Sequence, residues 1–411
     1  MIERERRILR HPWSRVSWRK FRDFAVATAA AVVLIAPAKA QTNSSVGAPD
    51  RTEILFLGTA GGPPLRLDRS EPSTLLIVDG RSYLIDCGIG TMQRMLKAGI
   101  ASESIKTIFF THLHADHDLG LADVMSNDFL RLNAISSKES VNIYGPPQTK
   151  ELVDAAFRYI TFGFTAFAAE PGAIRAGLVN GELTSPFVTH EIQGGGVVYQ
   201  DSKIRVTAAE NSHYILMSAE MQKRMKSYSY RIETPRGVIV FTGDTGPSDA
   251  VARLAKGADV FITEVEDLNE ATRFVNRLAA QDHWPAKRAA AMMAHMRQAH
   301  LDEQEAGDLA TKAKVKAVVL YHYNPVDPAV HVARVKQYFS GPVFASADLE
   351  RYCLGTRQGK GAASGSVLRV CTAQSGATRP VADNATANGS ALSRRSGSAS
   401  REVTNLANRR N

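Results

Sequence analysis

Residues 111–120 read THLHADHDLG, and this segment constrains the fold more than any other part of the sequence. It holds three of the chain's 11 histidines and follows KTIFF, an apolar run that predicts a buried strand. Because side chains alternate along a strand, His112 and His114 point to the same side, and Asp116 and His117 follow where the strand gives way to a turn. Imidazole and carboxylate groups are ligands that zinc accepts. The spacing predicts one ion at the first pair and a second ion nearby; a polar loop with clustered histidines is the alternative.

Further ligands have to come from other parts of the chain, and three residues qualify because each lies where a strand-like run ends. Asp244 follows Val238–Phe241 in FTGDTG, where the flanking glycines let the backbone turn. His213 follows IRVTAAE in NSHY, and His322 follows AVVLY in YHYNP. Taken singly, the aspartate could equally belong to a β-turn and each histidine could be structural. If these residues form a metal site, all of their side chains have to lie at one edge of the sheets.

The order of apolar runs predicts an α/β fold. Strand-like runs such as EILFLG, TLLIV and YLIDCG alternate with helical spacing, in two halves that are each strand-rich and then helical. We expect a helix that starts near Leu119, a weaker mixture of helix and loop over 150–185, and a long helical region over Ala286–Ala313. This alternation favours sheets sandwiched between helix layers.

The net charge of +9 belongs to the two ends of the chain. Residues 1–40 carry nine basic and three acidic residues, and 356–411 carry nine and two, whereas 41–355 carry 32 and 36. The central part therefore has a net charge of −4, which is not typical of a domain that binds polyanions.

The N-terminus has the pattern of an export signal. A basic region precedes the apolar run FAVATAAAVVLIAP, and Ala38-Lys39-Ala40 forms a cleavage pattern before Gln41. We expect residues 1–40 to be a signal peptide, 41–52 a short linker, and the mature protein to be periplasmic or secreted, without a membrane segment; an uncleaved anchor is the alternative. Residues 353–411 form a basic Gly/Ser/Ala-rich tail whose composition predicts disorder. Cys353 and Cys371 could pair in an oxidising compartment, which the sequence leaves open.

The motifs in order, LGTAGGPP, LIDCG, THLHADH, SHY, FTGDT and a late histidine after a strand, resemble the metallo-β-lactamase superfamily from about residue 53 to 350. The resemblance implies that 53–352 form a metallo-hydrolase domain, an αββα sandwich with a dinuclear metal site at one edge. It also implies two Zn²⁺ ions, although iron or manganese can occupy similar sites. The implied ligands are His112, His114 and His213 for one ion, Asp116, His117 and His322 for the other, and Asp244 as the bridge.

Within the superfamily, the segment AHLDEQEAGDLATKAKVKAVVLYHYNP is similar to the branch that contains ribonuclease Z and the zinc arylsulfatases. That branch has a histidine on a helix before the last ligand strand, which implies that His300 is an acid near the leaving group; a solvent-facing histidine at a helix start is the alternative. Glu264 occupies the place of a His-Glu pair, but Thr263 precedes it, so the pair is incomplete in sequence. The loop LGTAGGPPLR, GPPQTKELV and the insert at 146–205 look more like the exported arylsulfatase-type members.

These observations lead to the expectation of an exported hydrolase that cleaves a sulfate ester or a phosphodiester with a dizinc-activated hydroxide. Asp116 and His300 are the predicted catalytic residues. The predicted partner is a small sulfate or phosphate ester, not nucleic acid, and a homodimer stays open. The alternatives are a ribonuclease Z-like endoribonuclease or cyclic-nucleotide-type phosphodiesterase and, from another class, a binding protein without activity. Four histidines fit no ligand position, His190, His283, His295 and His331, although His283 and His295 could border the pocket.

Overall fold

The computed structural model describes residues 51–62, 64–134, 140–168, 185–356 and 366–371. The predicted signal peptide, nearly all of the linker and most of the tail lie outside these residues and stay predictions. Among the described residues, no helix is both long and apolar enough to cross a membrane.

Fifteen strands form two sheets in the described part of the chain. In chain order they are β1 (Thr52–Gly58), β2 (Ser73–Val78), β3 (Arg81–Ile85), β4 (Ile105–Phe109), β5 (Val141–Gly145), β6 (Phe187–Glu191), β7 (Gly196–Gln200), β8 (Arg205–Glu210), β9 (Tyr228–Thr234), β10 (Gly237–Phe241), β11 (Val260–Val265), β12 (Val318–Tyr323), β13 (Val343–Ala345), β14 (Arg351–Thr356) and β15 (Ser366–Val370). The first sheet has the order β15-β14-β1-β2-β3-β4-β5-β6, and the second has β13-β12-β11-β10-β9-β8-β7.

The described helices lie between and around these strands. They are α1 (Thr91–Lys97), α2 (Ala115–Asp118), α3 (Leu121–Ala134), α4 (Thr149–Ala168), α5 (Ala219–Arg224), α6 (Asp249–Leu254), α7 (Leu268–Gln281), α8 (Ala286–Gln298), α9 (Glu303–Ala313) and α10 (Pro328–Val335), with a 3-10 turn at Ser102–Ser104. Side chains cap several of them; Asp302 and Glu305 form a reciprocal capping box at the start of α9.

The core has three apolar layers, which is why the strands are apolar on both faces. In β1, Ile54 and Phe56 point between the two sheets, where they join residues of the second sheet such as Phe241. Leu55 and Leu57 point the other way, into the layer beneath α1, α3 and α4. A third layer packs α6, α9 and α10 on the outside of the second sheet. The predicted αββα sandwich is confirmed.

Strand direction brings the loops of interest to one edge. Strands β10, β11, β12 and β13 are parallel, and β9 is antiparallel to both β8 and β10. The C-terminal ends of β8, β10, β11 and β12 therefore meet at the same edge of the second sheet. The loop after β4 of the first sheet joins them, since the backbone N–H of Tyr228 donates to the carbonyl of Thr111 at 2.9 Å.

Two expectations need correction. The tail boundary at residue 353 is wrong for the described part, because 353–356 and 366–370 are strands that extend the first sheet, and a Cys353–Cys371 disulfide holds them. The long helical region is two helices, since the chain breaks at 299–302 before the capping box of α9. The helix expected near Leu119 is confirmed: α3 begins at Leu121, directly after the short helix α2.

Candidate metal centre

All seven predicted ligands lie together in the loops at this sheet edge. The first group is His112, His114 and His213. The Nδ1 atom of His114 lies 3.0 Å from Nε2 of His213. The ring of His112 lies 4.7 Å from each of the other two rings, centroid to centroid. Three imidazole nitrogens that converge in this way suit a divalent transition metal.

The second group is Asp116, His117, Asp244 and His322, all of them buried. The Nε2 atom of His322 lies 3.3 Å from Oδ2 of Asp116, and that of His117 lies 3.7 Å from the same oxygen. Two imidazoles and a carboxylate thus surround a second point, close to the first group.

Asp244 reaches both groups. Its Oδ1 lies 3.4 Å from Nε2 of His117, and its Oδ2 lies 3.4 Å from Nε2 of His322 and 3.8 Å from Nε2 of His112. A carboxylate in this position would hold ions at both groups.

Several donor atoms in this cluster are buried without a hydrogen-bond partner. They include Nε2 of His112, Nε2 of His117 and Oδ1 of Asp244. Unpartnered buried polar atoms are costly and rare in folded proteins. Their convergence, with a donor set of imidazole and carboxylate, fits a pair of divalent metal ions.

Hydrogen bonds behind the cluster orient two of the histidines. The carboxylate of Asp86 accepts from Nδ1 of His117 at 2.9 Å and from the hydroxyl of Thr111 at 2.8 Å. That hydroxyl lies 3.1 Å from Nδ1 of His112. A carboxylate only accepts, so Nδ1 of His117 and the hydroxyl of Thr111 both donate to Asp86. The hydroxyl has one hydrogen, so it accepts from Nδ1 of His112. We infer that both rings are Nδ1–H tautomers, which leave Nε2 free for a metal. Sequence reasoning gave Asp86 no role, although LIDCG places it at a strand end.

Backbone geometry also supports the site. Asp86 and His322 have positive φ angles of 56° and 47°, a conformation that non-glycine residues seldom adopt and that costs on the order of 1–3 kcal/mol. A Cβ on Gly62 would lie 2.3 Å from Oδ2 of Asp116, so only glycine lets the β1–β2 loop close over this carboxylate. The packing of the sheet edge offsets the strain of these positions.

The pKa directions describe a cluster that attracts positive charge. Burial lowers the pKa of His112 and His213 well below the usual range and that of His114 to about 4, so these rings are neutral. Burial also opposes charge on His117 and His322, but Asp244 and Asp116 outweigh it and raise both pKa values, that of His322 to about 9. The second group therefore holds a proton or a metal ion more readily than the first.

His300 lies beside the cluster, as predicted, but in the 299–302 turn rather than on a helix. Its Nδ1 forms a hydrogen bond of 2.5 Å with Oε2 of Glu264 and lies 3.9 Å from Oδ2 of Asp244. The other oxygen of Glu264 accepts from the backbone N–H of Thr245 at 2.6 Å. The expectation that Glu264 lacks a histidine partner is thus wrong: the partner comes from 36 residues further along the chain.

Of the histidines assigned no ligand position, only His295 lines the cleft in the described structure. Its Nε2 lies 3.3 Å from Nε2 of His300. His190 is on β6 and stacks on Tyr144, and His331 is on α10 and pairs with Glu303. The sequence left open whether His295 borders the pocket, because helical spacing alone does not reveal which face of α8 covers the cleft.

Comparisons with known proteins agree with this geometry. A family profile described as "Beta-lactamase superfamily domain" matches residues 81–323. Ribonuclease Z of Mycobacterium bovis is 28% identical over 306 residues, 73% of this chain and 97% of that protein. Ribonuclease Z of Methanothermobacter thermautotrophicus is 29% identical over 336 residues, 71% of this chain and 99% of that protein.

Two solved structures share the fold. The metallo-beta-lactamase fold protein YhfI from Bacillus subtilis has a TM-score of 0.52 at 17% identity, over 74% of this chain and 99% of that one. The short form of human tRNase Z has a TM-score of 0.50 at 21% identity, over 73% and 98%. At these identities the likeness establishes the fold alone.

Proposed function

The chain belongs to the β-lactamase superfamily and is a metal-dependent hydrolase of the metallo-β-lactamase fold, and from this premise we propose that the bond it cleaves is a phosphodiester. His112, His114 and His213 would hold one metal ion, Asp116, His117 and His322 the second, and Asp244 both. Zinc is the ion we propose, because imidazole and carboxylate suit it. Bound divalent ions supply hydroxide at neutral pH by lowering the pKa of water to about 7.

The observation that carries the proposal is the buried His300–Glu264 pair. Glu264 holds Nδ1 of His300 at 2.5 Å, so Nε2, which lies 3.3 Å from Nε2 of His295, is the nitrogen on the side of the cleft that both histidines line. An imidazolium N–H in this position can protonate a departing oxygen. Glu264 acts through His300 as a positioning residue, because its hydrogen bond fixes the orientation of the ring, whereas burial lowers the pKa of His300.

A proton donor matters most when the leaving group is an alkoxide. An alkoxide is a far stronger base than a phenolate, so a phosphodiester with a sugar leaving group gains more from His300 than an aryl sulfate does. Relatives named ribonuclease Z support the same direction. The ribonuclease Z-like or phosphodiesterase alternative is therefore favoured over the arylsulfatase-like expectation. The expectation that nucleic acid is not a partner is weakened.

We also propose that the protein acts outside the cytoplasm. The Cys353–Cys371 disulfide supports this location, because disulfides persist in oxidising compartments and are rare in the cytosol. Sequencing of the N-terminus of the protein from periplasmic extracts tests it. A start near Gln41 is the expected result, and an intact N-terminus in the cytosolic fraction contradicts it.

The reaction is tested with two substrates that release the same chromophore, bis(4-nitrophenyl) phosphate and 4-nitrophenyl sulfate. The purified protein is assayed zinc-loaded, after chelation and after zinc is restored. We expect metal-dependent turnover with a higher kcat/KM for the phosphodiester. A higher kcat/KM for the sulfate would return the assignment to a sulfatase, and turnover of neither ester by the fully loaded protein would favour a binding protein.

A further inference from the structure

A second cavity of about 210 Å³ adjoins the metal cleft. It lies between the β1–β2 loop and the hairpin formed by α7 and α8. Gly62, Glu266 and Met296 line both this cavity and the cleft, so the two are continuous. A group attached to the atom that reacts at the metals can therefore extend into the second cavity.

The walls of this cavity are apolar side chains that do not serve the core. Phe274 on α7 and Met296 on α8 are half-buried and belong to none of the three apolar layers of the described chain. Leu65 of the β1–β2 loop faces them with 66% of its surface exposed. Aromatic and aliphatic groups left facing a concavity beside a charged cleft are typical of a ligand subsite.

Polar groups lie at two points of this lining. Where the cavity meets the cleft, Oε1 of Glu266 accepts from the side chain of Asn324 at 2.6 Å. At the mouth, the guanidinium of Arg277 lies 5.6 Å from the ring centroid of Phe274. No carboxylate of the described residues forms an ion pair with Arg277, whereas the neighbouring Arg66 is held by Asp68 at 2.9 Å. Arg277 is thus available to stack on a planar ligand or to meet an anion.

We propose that this cavity is the subsite for one nucleobase attached to the scissile phosphodiester, and that Phe274, Met296 and Arg277 determine this specificity. The inference rests on the proposed phosphodiester function and names its substrate class. The volume lies below the roughly 300–1,000 Å³ of pockets that enclose whole drug-sized ligands, so it suits a single ring system. A base would stack on Phe274 and Met296, while Glu266 would accept from a ring N–H or amino group.

Binding measurements test the subsite without turnover. Thymidine 5′-monophosphate and 2-deoxyribose 5-phosphate differ only in the base, and each is titrated calorimetrically into the zinc-loaded protein. We expect the nucleotide to bind roughly tenfold more tightly, in line with the contribution of one stacked base. Phe274→Ala should remove this ratio, Phe274→Trp should keep it, and Phe162→Ala, which alters an exposed aromatic residue on α4, is the matched control.

The outcomes separate the subsite from the reaction. Equal affinities for the two phosphates in the wild type, or a ratio unchanged in a folded Phe274→Ala protein, overturn the subsite even if bis(4-nitrophenyl) phosphate is hydrolysed. Loss of the ratio in Phe274→Ala with its return in Phe274→Trp supports the subsite. If that pattern occurs in a protein that hydrolyses only 4-nitrophenyl sulfate, the proposed reaction fails while the base subsite stands.

Discussion

Two buried His–Glu pairs of the described residues differ in what surrounds them. Nδ1 of His300 forms a hydrogen bond of 2.5 Å with Glu264 beside the metal centre, and Nδ1 of His331 forms one of 3.0 Å with Glu303 between α9 and α10. His300 is 7% exposed and His331 is fully buried. Residue type, bonding atom and burial are thus nearly the same in the two pairs.

The two pairs differ in whether nearby groups balance the charge of the glutamate. Glu303 also accepts from the guanidinium of Arg334 at 2.8 Å, and although burial opposes its ionisation, His331 and Arg334 lower its pKa. Burial and the nearby Asp244 instead raise the pKa of Glu264 well above its usual range. A buried pair with its charge balanced stabilises the fold, whereas one held next to a further carboxylate is costly and needs a cation. The surroundings therefore indicate which pair serves the reaction.

Asp244 is the carboxylate that creates this difference, so its removal should have the largest effect. Asp244→Asn should bind less than half of the wild-type metal and lose roughly a thousandfold or more in kcat/KM on bis(4-nitrophenyl) phosphate. Metal content is measured by atomic spectroscopy, with Asp201→Asn as the control, because the carboxylate of Asp201 accepts from Tyr83 and does not line the cleft. Wild-type metal content together with wild-type turnover in Asp244→Asn would refute the dinuclear assignment.

The second largest effect should come from His300, and it should depend on the leaving group. His300→Asn removes the proposed acid, so kcat should fall roughly a hundredfold on a dinucleoside monophosphate, which releases an alkoxide. It should fall less than about tenfold on bis(4-nitrophenyl) phosphate, whose phenolate leaves without a proton. His331→Asn is the matched control and should leave both kcat values unchanged. An equal loss on both substrates in His300→Asn would mean that His300 is not the acid.

The two pairs also mark the limit of what the sequence can predict. THLHADHDLG and the strand ends before His213, Asp244 and His322 predicted the residues that the structure brings together, because period-two alternation and strand direction are local properties. Glu264 was given no histidine because only its neighbour in sequence was considered, whereas its partner arrives from a distant turn. The role of Asp86 was missed, and the place of His295 at the cleft was left open, for the same reason: their contacts form only when separate elements pack.

The same distinction holds for the fold. Strands buried on both faces are continuous apolar runs, and nearly all of them could be read from the sequence. Strands β14 and β15 could not, because the end of the chain is rich in Gly and Ser and the disulfide that closes it cannot be read from sequence. The break at 299–302, which positions His300, depends on the capping box of α9.

A smaller effect on turnover should follow from Glu264, which acts through His300. Glu264→Gln keeps an acceptor for the N–H of Thr245 but replaces the carboxyl group whose hydrogen bond orients the ring of His300. We expect kcat on the dinucleoside monophosphate to fall roughly tenfold with KM unchanged, and a Glu264→Asp protein to recover part of the loss. If KM rises while kcat holds, Glu264 shapes the binding of substrate and does not position the acid.

Substitution of Glu303 should have the smallest effect on turnover and should instead lower the stability of the fold. Glu303→Gln should leave kcat/KM as in the wild type but lower the free energy of unfolding at pH 7 by about 1–3 kcal/mol, because it removes the charged acceptor of His331 and Arg334. The folded-state pKa of Glu303 is depressed, so its contribution is complete above the usual value of 4.5 and is lost as the pH falls through the folded value. Urea unfolding of the two proteins should therefore differ at pH 7 and converge as the pH is lowered below 4.5. A difference that stays constant over this range would show that Glu303 stabilises the fold by packing alone, and the charge balance that separates the two pairs would lose its support.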